Sequence, residues 1–348
     1  VSAHGKVAIC VNPMSGRDVR RLAARATNMT HEAKRDLVAR IAAGAEAAGA
    51  TDFYITREPY NIANLALELM PLKARVHVLD VPLQNNAGDT ERAIAAFLAE
   101  GVRTFVSLGG DGTNRAIVRA FGPRCGEVTL LPLSTGTNNV FPVLTEPTIV
   151  GMAAGLDCRG RLPEPSLRAR CKVLHVRGTC GHGRPVDDVG LIDAVLLRDD
   201  HVGNLLPFDA QRIPQLLLTR AEATGIGMSP IGGLIDEVLE GDDLGLLVTL
   251  GEDRRGAAGE AALRRFQAPV SPGLFAAVAV AGTQRLPLGT PVLFHGPGVL
   301  ALDGDRDHKL PADGALTVTI ERSGPMVLDA AAAIRWAVAQ DMMTAELS

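Results

Sequence analysis

The chain has 348 residues, of which 47% are apolar and 21% charged, the balance of a globular protein with a sizeable core. That composition excludes extended disorder, which requires too few apolar residues to offset the entropy of ordering, and at ~150 residues per domain the length predicts two domains. Lys and Arg total 35 against 39 Asp and Glu, a net charge of −4, so no wholesale basic surface points to nucleic acid.

The first 140 residues alternate short apolar runs with helical patterns. A buried strand is predicted over 6–11 and a turn over 12–17. A helix over 30–49 carries Leu37, Val38, Ile41 and Ala45 on one face and ends on a glycine. Then come a strand over 52–56, a helix over 61–70, a strand over 75–81, a helix over 91–101, a strand over 102–108, a helix over 115–121 and a strand over 128–133. This alternation implies βαβ units and a mostly parallel sheet. Pro163 and Pro165 then separate the halves. Strand-like runs follow over 171–177, 189–198, 216–219, 244–250, 275–281, 292–295, 299–302 and 315–321, with helices only over 259–267 and 328–343. The expected organisation is an α/β nucleotide-binding domain over 1–145, a β-rich substrate domain over 146–325, and a C-terminal helix within 326–348 packing back on the first domain.

No run of about 18 apolar residues occurs, so no membrane span is expected, and the N-terminus carries no basic region followed by a long apolar one. Five cysteines at irregular spacing make no disulfide framework, which favours a reducing cytoplasm. Cys171, His175, Cys180 and His182 match no usual zinc spacing; ordinary packing is the reading and no metal ligands are assigned.

The sharpest motif is Leu108-Gly109-Gly110-Asp111-Gly112-Thr113-Asn114, directly after a strand and before an amphipathic helix. Glycines there let backbone N–H groups close on an anion, aided by the helix dipole. A carboxylate in such a cradle repels phosphate unless it holds Mg²⁺ or takes a proton from an attacking hydroxyl. A second loop, Pro132-Leu133-Ser134-Thr135-Gly136-Thr137-Asn138-Asn139, offers hydroxyls and amides after the next strand; a third, Asn12-Pro13-Met14-Ser15-Gly16-Arg17, follows the first strand. Strand ends in an open α/β sheet share one crevice where ligands bind. No G-x-x-x-x-G-K-[ST], G-x-G-x-x-G or G-x-S-x-G sequence occurs, which removes the main support for P-loop, Rossmann-dehydrogenase and α/β-hydrolase readings.

Gly109–Thr113 and Asn12–Gly16 resemble the GGDGT and NPxSG motifs of the superfamily that unites ATP–NAD kinases with diacylglycerol and sphingoid lipid kinases. Within it, 12–21 and 135–142 are most similar to the acetoin-catabolism protein X group. The resemblance implies an N-terminal Rossmann-like parallel-sheet domain and a β-rich C-terminal domain, the NAD kinase/diacylglycerol kinase-like fold. It implies Mg²⁺-dependent phosphoryl transfer from ATP or polyphosphate to a hydroxyl, by resemblance the 2′-hydroxyl of NAD, in a cytoplasmic homo-oligomer.

Asp111 is then the candidate for orienting or deprotonating the hydroxyl, directly or through Mg²⁺, with Asp305 a second catalytic candidate through the late Leu302-Asp303-Gly304-Asp305 motif. Asn12, Ser15, Gly109, Gly110, Gly112, Thr113, Ser134, Thr135, Gly136 and Asn138 would bind nucleotide, with Asp193 receiving ribose hydroxyls and Thr224 lying in a Thr/Gly/Ser loop that closes over the dinucleotide. Ile192 stands where NAD kinases carry the Asn of an Asn-Glu pair, unless the strand is offset by one residue and Ile192 faces the core. A lipid kinase and a non-catalytic nucleotide-binding accessory protein of acetoin catabolism remain the alternatives.

Overall fold

The computed structural model describes residues 5–16, 28–136, 139–206, 208–251 and 264–343. In chain order the first half runs β1 (Lys6–Val11), α1 (His31–Ala47), β2 (Asp52–Thr56), α2 (Ile62–Glu68), β3 (Arg75–Leu79), α3 (Ala87–Ala99), β4 (Thr104–Gly109), α4 (Asp111–Phe121), β5 (Thr129–Ser134) and α5 (Pro147–Cys158). The five strands lie parallel in the order β3-β2-β1-β4-β5, so the strand order reverses between β1 and β4. Loops leaving the carboxyl ends of those two strands diverge to opposite faces and open a crevice between them.

Period-two alternation sorts the strand side chains onto two buried faces. Val7, Ile9, Val106, Leu108 and Leu131 join α1 and α5 in one core. Ala8, Cys10, Phe105 and Leu130 join α3 and α4 in another, which also contains Val173, Leu191 and Ile192 from the second half. No element is predicted over 147–158, yet α5 forms there and packs tightly on α1. Its run is apolar all round and holds Gly151 and Gly155, which lower helix propensity. They are required by contact: a Cβ on Gly151 would meet the Ile41 carbonyl oxygen at 2.1 Å.

The second half contains β6 (Arg168–Arg170), β7 (Val173–Cys180), β8 (Arg184–Gly190), β9 (Asp193–Leu197), β10 (Gln215–Leu218), the short α6 (Ser229–Gly233), β11 (Leu244–Leu250), β12 (Arg264–Ser271), β13 (Leu274–Pro287), β14 (Val292–His295), β15 (Gly298–Leu302), β16 (Asp305–Leu310), β17 (Ala315–Glu321), β18 (Met326–Leu328) and α7 (Ala330–Ala339). One antiparallel sheet has the order β12-β13-β11-β10-β9-β15-β16 and a second the order β14-β17-β7-β8. β18 and β6 extend the first sheet, and α7 contributes Ala333 and Ala337 to the α1–α5 core.

Several predicted elements are corrected. Arg264–Gln267 are strand, paired with β13, where a helix over 259–267 is expected; 259–263 lie outside the described residues. The run 189–198 is two strands broken at Leu191–Ile192. The helix expected over 115–121 begins at Asp111, because Gly110 caps it and Gly109, Gly112 and Thr113 tolerate the turn into it. The terminal helix spans only Ala330–Ala339, with Asp329 as its cap.

Arg115 on α4 ties the halves together. It is 2% exposed; its guanidinium donates to Asp188 at 2.7 Å, Asp307 at 2.9 Å, and the carbonyls of Val189 at 2.7 Å and Leu302 at 3.3 Å. Burial pushes the Asp188 carboxyl up, but His308, Arg115 and Arg119 together bring it well below the usual carboxylate range. Arg115→Met leaves these carboxylates short of a partner in a desolvated interface. Removing one member of a buried ion pair costs ~3–5 kcal/mol; because Arg119 and His308 remain on Asp188, the expected loss is about 3 kcal/mol in urea unfolding at pH 7. A variant within 0.5 kcal/mol of wild type would remove the tether from this account.

Candidate functional site

Three loops meet at the carboxyl edge of β1, β4 and β5, and they are bonded to one another. Asn12 Nδ2 donates to Thr113 Oγ1 at 2.8 Å. Ser15 Oγ and Thr135 Oγ1 share a hydrogen bond of 2.7 Å, and Thr135 N–H donates to the Gly109 carbonyl at 3.1 Å. Gly110 N–H donates to Thr113 Oγ1 at 3.4 Å, and Asn139 Nδ2 to Ser134 Oγ at 2.8 Å. The motif glycines serve close approach: a Cβ on Gly110 would meet Asn139 Oδ1 at 2.7 Å, and one on Gly109 the Thr113 side chain at 2.4 Å. Of the sequence-predicted residues, Asn12, Ser15, Gly109, Gly110, Thr113, Ser134, Thr135 and Gly136 thus lie in one cluster, and Gly112 is the second residue of α4 beside Asp305. Asn138 lies outside the described residues.

Asp111 opens α4 and faces a cavity of about 90 Å³ between the halves, lined also by Asp193, Asp303, Leu206, Phe208 and Met228. Its carboxylate accepts from the backbone N–H of Phe141 at 2.9 Å and of Val140 at 3.1 and 3.2 Å, so it anchors the 139–141 turn as well as facing the cavity. Burial, then the charge of Asp303, push its pKa up to about 7, against the pull of the Phe141 and Val140 N–H groups and the Arg220 charge. The cavity is far smaller than the ~300–1,000 Å³ of a site that engulfs a drug-sized ligand. It has room for a small group and not for a whole nucleotide. A larger hollow of about 380 Å³, lined by Asp236, Arg264 and Thr283 among others, holds none of the predicted site residues.

Asp193 lines the cavity at the start of β9, but Ile192 is 1% exposed and packs in the core with Ile117, Val118 and Phe121. It presents no side chain to a ligand, and its match to the Asn of an Asn-Glu pair is withdrawn. Thr224 is exposed, whereas its loop neighbours Ile226, Gly227 and Met228 line the cavity. Asp305 is not among the residues lining the cavity; its side chain, 45% exposed, lies beside Gly112 and 3.7 Å from Arg115.

Sequence reasoning missed Asp303, Arg306 and Lys34. Asp303 has a φ of 49°, uncommon for a residue other than glycine, and its carboxylate accepts from Leu191 N–H at 2.7 Å, Ile192 N–H at 2.7 Å and Asp193 N–H at 3.2 Å. The Asp-Gly turn was its only signal. Arg306, 3% exposed, holds the 200–206 segment over the cavity through Asp200 at 2.8 Å and the carbonyls of Asn204 at 2.6 Å and Leu206 at 2.9 Å. Lys34 is 0% exposed and donates to the carbonyls of Asn12 at 2.8 Å, Pro13 at 2.8 Å and Ser15 at 2.7 Å. In the sequence it is one more charge on an amphipathic helix.

For a metal ion, the described residues group only Asp188, Asp307 and His308. Arg115 and Arg119 already occupy those carboxylates, so the group does not fit a resident divalent cation.

Residues 7–156 match the model of the ATP-NAD kinase N-terminal domain and residues 172–323 that of the acetoin catabolism protein X C-terminal domain. Acetoin catabolism protein X of Cupriavidus necator is 34% identical over 345 residues, 97% of this chain and 93% of that protein. The chain therefore belongs to the acetoin catabolism protein X family. A protein of Pseudomonas putida described as "Probable lipid kinase YegS-like" shares 42% identity over 64 residues, 18% of this chain and 22% of that one. The crystal structure of yeast NADH kinase complexed with NADH superposes with a TM-score of 0.52 at 14% identity, covering 99% of this chain and 89% of the other. That likeness defines the fold as the expected one, a parallel-sheet domain joined to an antiparallel β-rich domain.

Two outcomes follow from these placements. Ile192→Asn empties a packed position and buries an amide there; loss of a buried isoleucine side chain costs ~2–5 kcal/mol, read as a fall in urea midpoint, with no gain in nucleotide affinity. A stable variant would put Ile192 back at the ligand. The raised Asp111 pKa means that the native state keeps a proton the unfolded chain releases, so this group's contribution is full below about pH 4 and is lost as pH rises toward 7. Asp111→Asn removes that dependence, and its melting temperature relative to wild type rises between about pH 5 and 8; a constant or falling difference would mean that Asp111 is ionised throughout.

Proposed function

We propose that this protein transfers a phosphoryl group from ATP, or polyphosphate, to a hydroxyl acceptor, with the 2′-hydroxyl of the adenosine ribose of NAD as the acceptor. The observation that carries the reading is Asp111: a carboxylate with proton affinity near neutrality, at a helix N-terminus, between a glycine-rich loop and a small acidic cavity. A general base works best with a pKa near the operating pH. The acceptor hydroxyl enters the cavity and gives its proton to Asp111 as its oxygen bonds to the terminal phosphorus, while the bond from phosphorus to the leaving phosphate oxygen breaks. Backbone N–H groups of Gly109, Gly110 and Gly112, with Thr113, hold the donor phosphates, which need positioning and charge stabilisation more than covalent help, while Ser134, Thr135 and Gly136 line the nucleotide crevice. Asp193 receives a neighbouring ribose hydroxyl, and Asp305, beside Gly112, is the second catalytic candidate. A magnesium ion brought by the donor would supply charge neutralisation at its phosphates.

Family membership and the yeast NADH kinase-like fold support this reading. One observation favours a second: the Asp111 carboxylate is already engaged by two backbone N–H groups, as a protein that binds nucleotide without turnover would allow.

Purified protein with Mg²⁺ and labelled ATP or polyphosphate is offered NAD, NADH, diacylglycerol and sphingosine. Label is expected on NAD, and Asp111→Asn should lower kcat by ~10²–10⁴, the usual worth of a general base. Retention of more than a tenth of wild-type turnover would falsify the role given to Asp111. Nucleotide at a hundredfold excess over Kd should stabilise the protein by ~2.7 kcal/mol, and Gly110→Val should abolish that shift. Stabilisation without transfer to any acceptor would favour the second reading.

A further inference from the structure

The described segments of the crevice proposed to hold phosphates carry little positive charge. Segments 12–16, 109–113 and 134–136 contain no Lys or Arg and do contain Asp111. Arg115, one turn along α4, is committed to Asp188 and Asp307. Among the described residues, one cation touches the loop after β1 from beneath: Lys34, in the first turns of α1, wholly buried, with its ammonium nitrogen 2.7–2.8 Å from three carbonyl oxygens of a five-residue stretch. An ammonium has three donors, and three converging carbonyls are the surroundings a bound alkali cation would receive. Glu58 faces it as an opposite charge, but its carboxylate accepts from the Tyr60 and Ile62 N–H groups that start α2.

The consequence for the loop is geometric. With the carbonyls of Asn12, Pro13 and Ser15 drawn down onto α1, the Asn12 amide and the Ser15 hydroxyl reach Thr113 and Thr135, and Asn12 Oδ1 accepts the Met14 and Ser15 N–H groups at 2.8 and 3.3 Å. Without the ammonium, the carbonyls of Pro13 and Ser15 would lose the donor it supplies and that of Asn12 would keep only the Ser15 hydroxyl at 2.9 Å, and the loop would turn its carbonyls outward toward water. A buried charge is also weakly screened by salt, so it favours an anion on the far side of the loop.

We propose that Lys34 is the positioning residue for the donor phosphates: its ammonium is a built-in cation that closes the 12–16 loop onto Thr113 and Thr135 and supplies positive charge beneath the phosphate site. The proposal rests on the reading of that crevice as the phosphate side of a nucleotide site.

The test measures Mg-ATP affinity by calorimetry in wild type, Lys34→Met and Lys34→Ala, the last with and without ethylammonium. Kd for Mg-ATP should rise at least tenfold in Lys34→Met, with KM rising by more than kcat falls, and ethylammonium should restore binding to Lys34→Ala. Unchanged affinity in folded Lys34→Met, or lost affinity that ethylammonium leaves unrestored, overturns the proposal while the nucleotide-site reading stands. Failure of the wild type to bind Mg-ATP overturns both. Should neither variant fold, the wild-type protein decides: it has five lysines, and ¹⁵N-lysine spectra, assigned by replacing the other four in turn with arginine, should show the Lys34 ammonium signal shift on addition of Mg-ATP. A signal that does not move contradicts the role.

Discussion

The guanidinium of Arg115 fixes one half of the molecule against the other at the point where both contribute to the crevice. A cation this buried persists only where its partners are placed to satisfy it, and those partners come from β8, from β16 and from the Leu302 carbonyl at the end of β15. Asp111 sits one helical turn before Arg115; Asp303 follows Leu302 directly. Holding Arg115 to Leu302 therefore sets the distance between two carboxylates on different halves. The same turn is held from its other side, because Asp303 takes the N–H groups of Leu191, Ile192 and Asp193 at the break between β8 and β9. That break is why 189–198 cannot run as one strand.

The electrostatic result is a division of the crevice. On its inner side three aspartates and an apolar wall line a small cavity, where desolvation and mutual repulsion raise the proton affinity of Asp111. Such a surface disfavours phosphate and suits a neutral hydroxyl. On its outer side lie loop segments rich in hydroxyl and amide groups, with a buried ammonium beneath one of them. In the proposed reaction the two reacting groups are sorted by charge before any chemistry begins. Bringing Asp111 and Asp303 close carries a stability cost, which the backbone N–H groups on each carboxylate offset.

Much of the first half is legible in sequence because parallel strands buried on both faces read as short apolar runs, and those over 6–11 and 52–56 coincide with β1 and β2. The three loops are legible for the same reason, since glycines, hydroxyls and amides stand at predicted strand ends. Two kinds of feature are not. α5 is hidden because it is apolar on every side and carries glycines whose purpose, contact with α1, depends on a partner a hundred residues away. Lys34, Asp303 and Arg306 are hidden because a charged residue reads as surface unless its long-range partners are known. The Ile192 position shows the opposite error: the resemblance suggested a ligand contact where burial gives a core side chain.

The central claim is that the loops after β1, β4 and β5 form a single nucleotide site closed by Asp111. Amide hydrogen exchange of the wild-type protein with and without saturating Mg-ATP tests it most directly. The account predicts added protection concentrated in 12–16, 109–114 and 134–141, with the β12–β13 hairpin unchanged. Protection confined to that hairpin, or none anywhere at a nucleotide concentration that raises the melting temperature, would contradict it.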